Sequence, residues 1–373
     1  MRTRLASVLL IGGLILAGCQ APASSPVPPA AAAPTVGAAA TSVAPALRPT
    51  EAPLPAAEPA VVRLAYAGGY PTPGLLVAAD KGYFAELGIG VEMQQMAPTA
   101  NIITALGLNQ LDVGIGGTGA TITNFISRGV EIKITAGVNE ARAGTPNTCW
   151  VARKDLVESG EFRTLADLRG KRVAGQAQGT GSSNDIYLDR LLQRANVGLQ
   201  EIEIISMSFP EINSAMANRA IDIGWQSEPG ITLGMEQGLF EQFSCIGDLV
   251  PGYQSTHMFF SQPFAANQSA AERFMLAYVR GTREYLDAFF KGVGTAAVVD
   301  ILTRRTDLRS PEVWRKMAPA WVTPDALPNL AQLIADQEFY VQQGYLMQRA
   351  DLAAVVDSSF AERAVQRLGR YQP

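Results

Sequence analysis

Ala105-Leu106-Gly107-Leu108-Asn109-Gln110-Leu111-Asp112-Val113-Gly114 and, 110 residues later, Ala215-Met216-Ala217-Asn218-Arg219-Ala220-Ile221-Asp222-Ile223-Gly224 decide the fold. Each reads as the last turn of a helix that passes through an acidic residue into a short strand ending at glycine. Few positions are identical, so the echo has two readings: coincidence, or two α/β lobes built alike. Around the first copy, residues 61–66 alternate as a strand and Gly68-Gly69-Tyr70-Pro71-Thr72-Pro73-Gly74 is a turn. Residues 75–87 have helical spacing closed by Gly88, 89–95 read as a strand, 101–109 as a helix, and 131–138 as a strand. Around the second copy, 164–168 opens a short helix and 171–174 is a strand. A loop at 179–184, a helix at 185–194, a strand at 202–206, a helix at 211–218 and a strand at 220–225 follow. This alternation predicts open parallel sheets flanked by helices. Beyond about residue 270 the pattern is mainly helical, punctuated by Pro311, Pro319, Pro324 and Pro328.

The chain has 373 residues, 47% hydrophobic and 17% charged, with a net charge of -4. That is an ordinary globular composition, and its acidic balance sets nucleic acid aside as a partner. With one histidine (His257) and three cysteines, no cluster has metal-ligand spacing, and no cofactor is expected. His257 lies in Gln254-Ser255-Thr256-His257-Met258 with no nucleophile elbow nearby, so it reads as a structural residue.

The amino terminus carries Arg2 and Arg4, then an apolar run over residues 5–16 that is shorter than the about 20 residues a spanning helix needs. It ends in Leu16-Ala17-Gly18-Cys19, which resembles the bacterial lipobox, with Cys19 as the lipidated first residue of the mature chain. The other reading is a secretory signal with a chance cysteine. Residues 20–60 hold 15 alanines and 10 prolines and read as a semi-rigid spacer. The expected product is a body tethered on the outward face of the cell membrane, with Cys149 and Cys245 free to form a disulfide or not.

Leu75-Leu76-Val77-Ala78-Ala79-Asp80-Lys81-Gly82-Tyr83-Phe84 with Leu87-Gly88-Ile89, then Leu111-Asp112-Val113-Gly114, Leu165-Ala166-Asp167-Leu168-Arg169-Gly170-Lys171 and Asp222-Ile223-Gly224-Trp225-Gln226-Ser227-Glu228-Pro229, stand in order along the chain. Together they resemble the ABC-importer solute-binding proteins of the nitrate, sulfonate, taurine and thiamine-precursor class, over roughly residues 61–295. The resemblance implies a two-lobed periplasmic-binding-protein-like (type II) α/β fold that closes on its ligand by a hinge. It divides the chain into a signal peptide (1–18), a lipidated tether (19–60), lobe 1 (61–145), lobe 2 (146–250), and a return to lobe 1 with C-terminal helices (251–373). Its implied partners are a small-molecule ligand and ABC permease and ATPase subunits.

The same resemblance puts ligand contacts on Tyr70 and Thr72, on Gly117 and Thr118, on Thr180, Ser182 and Ser183 within the 179–184 loop, and on Trp225 and Glu228. Gly179-Thr180-Gly181-Ser182-Ser183-Asn184 precedes a helix, so its amides and hydroxyls either receive a polar or anionic group or simply cap the helix. Trp225 is a stacking surface or a core residue. Glu228 accepts ligand N–H groups or pairs with an arginine. Tyr66 beside the first turn, and Trp150 by position and chemistry, are further candidates for aromatic walls with structural packing as their alternative. Trp314 and Trp321 in the helical tail are assigned to packing. These segments hold tyrosines, tryptophans, hydroxyls and amides but no lysine or arginine, which suits a flat heteroaromatic solute better than a compact anion. A riboflavin-like vitamin is favoured, with the thiamine pyrimidine precursor or a sulfonate, taurine or nitrate anion as alternatives. Two rivals differ in class: a pyrimidine-precursor synthase-like enzyme, and a ligand-sensing lipoprotein.

Overall fold

A computed structural model describes residues 58–68 and 72–373. Cys19 with its lipobox, most of the Ala/Pro spacer, and Tyr70 lie outside the described residues. Ten strands are present among the described residues: β1 (Ala60–Tyr66), β2 (Ile89–Gln95), β3 (Val113–Gly117), β4 (Ile132–Gly137), β5 (Thr148–Arg153), β6 (Arg172–Gly175), β7 (Glu203–Ser206), β8 (Ile223–Ser227), β9 (Phe240–Cys245) and β10 (Thr256–Ser261). They form two five-stranded sheets, ordered β2-β1-β3-β10-β4 and β7-β6-β8-β5-β9. The two orders are the same pattern, so each lobe is one copy of a shared plan.

The sheets are mixed, which corrects the expectation of parallel sheets. In the first, β10 runs antiparallel to β3 and β4; in the second, β5 runs antiparallel to β8 and β9. The remaining neighbours pair in parallel. The cause is the chain path. After β4 the chain crosses and inserts β5 into the second sheet, and after β9 it returns and inserts β10 into the first. Cys149 of β5 and Cys245 of β9 are register partners joined by a disulfide.

The 110-residue echo has a physical basis that is identical in both lobes. The helices Thr99–Gly107 and Phe209–Ala217 precede β3 and β8. A Cβ on Gly114 would stand 2.4 Å from Ile102 and 2.8 Å from Leu106; on Gly224 it would stand 2.8 Å from Ile212 and 2.9 Å from Met216. Glycine is therefore what lets each helix lie close on its strand. The acidic residue before each glycine is gripped from the neighbouring parallel strand. Arg63 donates its backbone N–H (2.8 Å), Nε (3.0 Å) and Nη2 (2.8 Å) to the Asp112 carboxylate. Arg172 makes the same three contacts to Asp222, at 3.0, 3.0 and 2.7 Å. In each lobe the same guanidinium also donates to the carbonyl of the residue that ends the helix, Asn109 or Arg219.

The C-terminal part is helical, as expected. One of its helices, Leu330–Gln342, roots Leu333 in the core of the first lobe and Tyr340 in that of the second. On the same helix, Gln332 exchanges hydrogen bonds of 2.7 and 2.8 Å with the backbone of Gln254, and Asp336 accepts one of 2.8 Å from Tyr253. Both partners lie on the return crossover between β9 and β10. No described helix is long and apolar enough to cross a membrane.

The two forks differ in burial, and this yields a test. Asp222 also accepts from Arg153, whose side chain is only 11% exposed, whereas Arg63 is 46% exposed. Asp222→Ala leaves Arg153 with only Asp155 and the Ile221 carbonyl as partners and is expected to cost about 1.5–3 kcal/mol in denaturant unfolding. Asp112→Ala is expected to cost roughly 1 kcal/mol. Burial opposes the charged form of Asp222, but Arg172 and Arg153 outweigh it and hold the carboxyl below the usual range. Its stabilisation is therefore present above the unfolded value of about 4 and is lost as pH falls towards the folded one. Equal losses in the two variants would refute the role given to Arg153.

Candidate functional site

A cavity of about 870 Å³ lies between the lobes. Its walls come from the carboxyl ends of β3 and β8, the loops that follow β1 and β6, and both crossovers, where ligands sit in open α/β sheets. Of the residues singled out in the sequence, Gly117, Thr118, Thr180, Ser182, Ser183 and Trp225 line it. Tyr66, Thr72, Trp150 and Glu228 do not. Tyr66 packs on the core of the first lobe, and Thr72 is buried ahead of the helix Pro73–Asp80. Trp150 is fully buried on β5, with its ring centroid 4.9 Å from that of Trp225. Glu228 has no arginine partner among the described residues. Its carboxylate accepts from the Thr232 N–H and hydroxyl at 3.0 Å each and from the Ala318 N–H at 3.1 Å, while burial pushes its pKa up against those contacts.

Trp225 is a core residue that also borders the cavity. It is almost wholly buried between Trp150 and Tyr187, its indole N–H donates to Asn184 at 3.1 Å, and one edge still reaches the cavity. The loop after β6 takes the capping reading of the two that its sequence offered. The backbone N–H groups of Gly179, Thr180, Gly181 and Ser182 all point to the Asp185 carboxylate, at 2.6, 3.2, 2.7 and 3.0 Å. Donors that the sequence offered to an anionic ligand are thus satisfied by an anion of the chain itself. The hydroxyls of Thr180 and Ser182 are likewise turned to the Ala177 carbonyl.

Sequence reasoning missed several lining residues. Trp321, assigned to packing, faces the cavity, and the Arg142 guanidinium lies 3.8 Å over its ring. Asn139, Asn147, Thr148 and Ser255 add polar groups from the crossovers. Glu140 is the one carboxylate on the wall, and no lysine or arginine is there among the described residues. Its backbone N–H donates to the Trp321 carbonyl at 3.2 Å, but its side chain has no hydrogen bond or ion pair among the described residues. Burial pushes its pKa up, with Arg142 opposing. A lone acid in a loop carries no periodicity, so no sequence signal marked it.

The histidine and the described cysteines do not line the cavity. His257 is fully buried on β10, its Nδ1 lies 3.3 Å from the Thr118 hydroxyl, and burial pushes its pKa down to about 3. Cys149 and Cys245 are bonded to each other. Among the described residues no group of three or more His, Cys, Asp or Glu side chains could hold a metal ion.

The lobes touch at the cavity wall. Ala120 donates its N–H to the Gly181 carbonyl at 2.8 Å, and Gly119 and Ser182 form an antiparallel bridge. Thus the amino-terminal ends of two helices, Ala120–Ser127 and Ser183–Ala195, meet through backbone. A Cβ on Gly119 would stand 2.7 Å from the Gly181 carbonyl oxygen, although its φ of 175° is open to any residue. Gly119→Ala should therefore leave each lobe folded yet oppose their contact by about 1–3 kcal/mol. The expected readouts are an unchanged unfolding midpoint without ligand and a larger radius of gyration in solution scattering. An unchanged radius would show that the bridge does not hold the lobes together.

Comparison with known proteins agrees with this architecture. The family model described as NMT1/THI5 like matches residues 72–288. A protein of Brucella abortus (strain 2308), provisionally named a binding protein, is 26% identical over 232 residues, covering 61% of this chain and 67% of its own length. The periplasmic aliphatic sulphonate binding protein SsuA from Escherichia coli superposes with a TM-score of 0.65 at 16% identity, covering 82% of this chain and 100% of that one. The desulfurization enzyme DSZB superposes with a TM-score of 0.56 at 17% identity, covering 82% and 99%. The same fold thus carries both binding and catalysis, and the residues of the site have to separate them.

Proposed function

The chain belongs to the NMT1/THI5-like family, and on that premise we propose that it is the solute-binding component of an ABC import system. The observation that carries this reading is the cavity of about 870 Å³ between two lobes that meet by backbone at its wall. That volume lies in the roughly 300–1,000 Å³ range of small-molecule sites. Such a cavity takes a guest whole and gives a permease a closed outline to recognise. Shifting a two-state equilibrium from mostly open to mostly closed needs about 5.5 kcal/mol of differential binding, within reach of a buried ring with several hydrogen bonds. The chain then works outside the cell, with Cys19 lipidated and the Ala/Pro segment as its tether.

The guest we favour is a flat heteroaromatic vitamin, riboflavin before the thiamine pyrimidine precursor. Support comes from Trp225, Trp321, Tyr187 and Phe209 on the wall, alongside Asn and Thr side chains able to hydrogen-bond a ring edge. The relatives named for sulfonate point instead to an anion. Against that stand the absence of lysine and arginine from the described wall and the use of the 179–182 amides by Asp185. Binding is favoured over catalysis because His257 is buried and neutral and both described cysteines are paired.

Titration with riboflavin is expected to quench tryptophan fluorescence and raise the thermal midpoint, and mass spectrometry of the purified protein should recover a bound solute that denaturation releases. No quenching and no thermal shift at millimolar riboflavin would remove that vitamin. Turnover of a recovered solute would remove the binding role.

A further inference from the structure

Within the reading of this cleft as a solute site, Glu140 stands apart. It is the one carboxylate on the described wall, it faces the cavity from the first crossover, and its oxygens have no hydrogen-bond or ion-pair partner among the described residues. Arg142 acts on it through space but makes no ion pair with it; the guanidinium lies 3.8 Å over the Trp321 ring and 5.8 Å from the centre of Phe290. The carboxylate oxygens of Glu140 are not fully buried, so an N–H donor that enters the cavity can reach them. An acceptor held open at a ligand wall is therefore a place for a donor that arrives with the ligand.

The opposite charge is missing from the same wall. Four amides of the loop after β6 are turned to Asp185, and Ala120 gives its N–H to Gly181 of the facing lobe. Thr118 gives its N–H to the Ser255 carbonyl. A guest sulfonate or nitrate would meet one fixed negative charge and no side-chain cation.

We propose that Glu140 is the specificity-determining residue of the cleft: it accepts from an N–H group of a neutral or cationic solute and makes the site reject anions. Because this rests on the solute-binding reading, the test separates the two. Calorimetric titration of the wild type and Glu140→Gln would use riboflavin and 4-amino-5-hydroxymethyl-2-methylpyrimidine as N–H-bearing probes, and ethanesulfonate and nitrate as anions. The expected result is that the wild type binds at least one N–H-bearing probe and neither anion, and that Glu140→Gln weakens that probe by about tenfold.

Thermal unfolding supplies a second readout. Burial disfavours the charge of Glu140 in the folded state, so Glu140→Gln should keep or raise the midpoint at neutral pH while affinity falls. A merely structural residue would lose both together. Unchanged probe affinity in Glu140→Gln, or wild-type binding of ethanesulfonate or nitrate, would overturn the proposal. If riboflavin fails but the aminopyrimidine binds through Glu140, the vitamin choice falls and this inference stands. Silence from all four probes would count against both the inference and the solute reading.

Discussion

Each lobe hangs on one grip: an arginine on the strand beside it holds the aspartate that opens the strand leading to the cleft. Arg63 with Asp112 and Arg172 with Asp222 use the same three donors, and both close the end of the preceding helix through a carbonyl. A bidentate guanidinium–carboxylate pair fixes direction as well as distance. It therefore sets the point at which β3 and β8 begin, and hence where Thr118 and Ser227 emerge into the cavity. The glycine two residues further on seats the helix against the same strand. Helix, strand and outgoing loop are positioned by three residues, once in each lobe.

That economy explains why the lobes were legible in the sequence. A close helix–strand contact demands glycine, and the grip demands an acid two residues before it, so the pattern Asp-x-Gly recurs at the same offset. The antiparallel strands were not legible. β5 and β10 are apolar runs whose partners lie far along the chain, so nothing local states their direction. Trp150 shows the same limit: it reads as an aromatic near a crossover, and only the sheet shows that it is buried behind Trp225.

The site was half legible. Loops at the ends of β3, β6 and β8 do meet, because an open α/β sheet sends its strand ends to one edge. What they do there depends on contacts that a sequence leaves open. Asp185, three residues after Ser182, closes a capping box with it, a role not assigned to it from the sequence. The same carboxylate also gathers the amides that precede it, so a loop with the composition of an anion receptor already contains its anion. Trp321 was hidden by its Pro-rich surroundings. Glu140 was hidden by having no pattern at all.

The helix Leu330–Gln342 has a consequence for timing. It is rooted in both cores, and Gln332 in its first turn and Asp336 near its middle are hydrogen-bonded to the return crossover. Bending that crossover means disturbing a packed helix and not merely turning a few peptide torsions. The stiffness of this splint therefore enters the rate at which a captured guest escapes more than the rate at which it arrives, since arrival is governed by diffusion and orientation. Residence time in the cleft is thus set partly by residues some eighty positions beyond the crossover they brace.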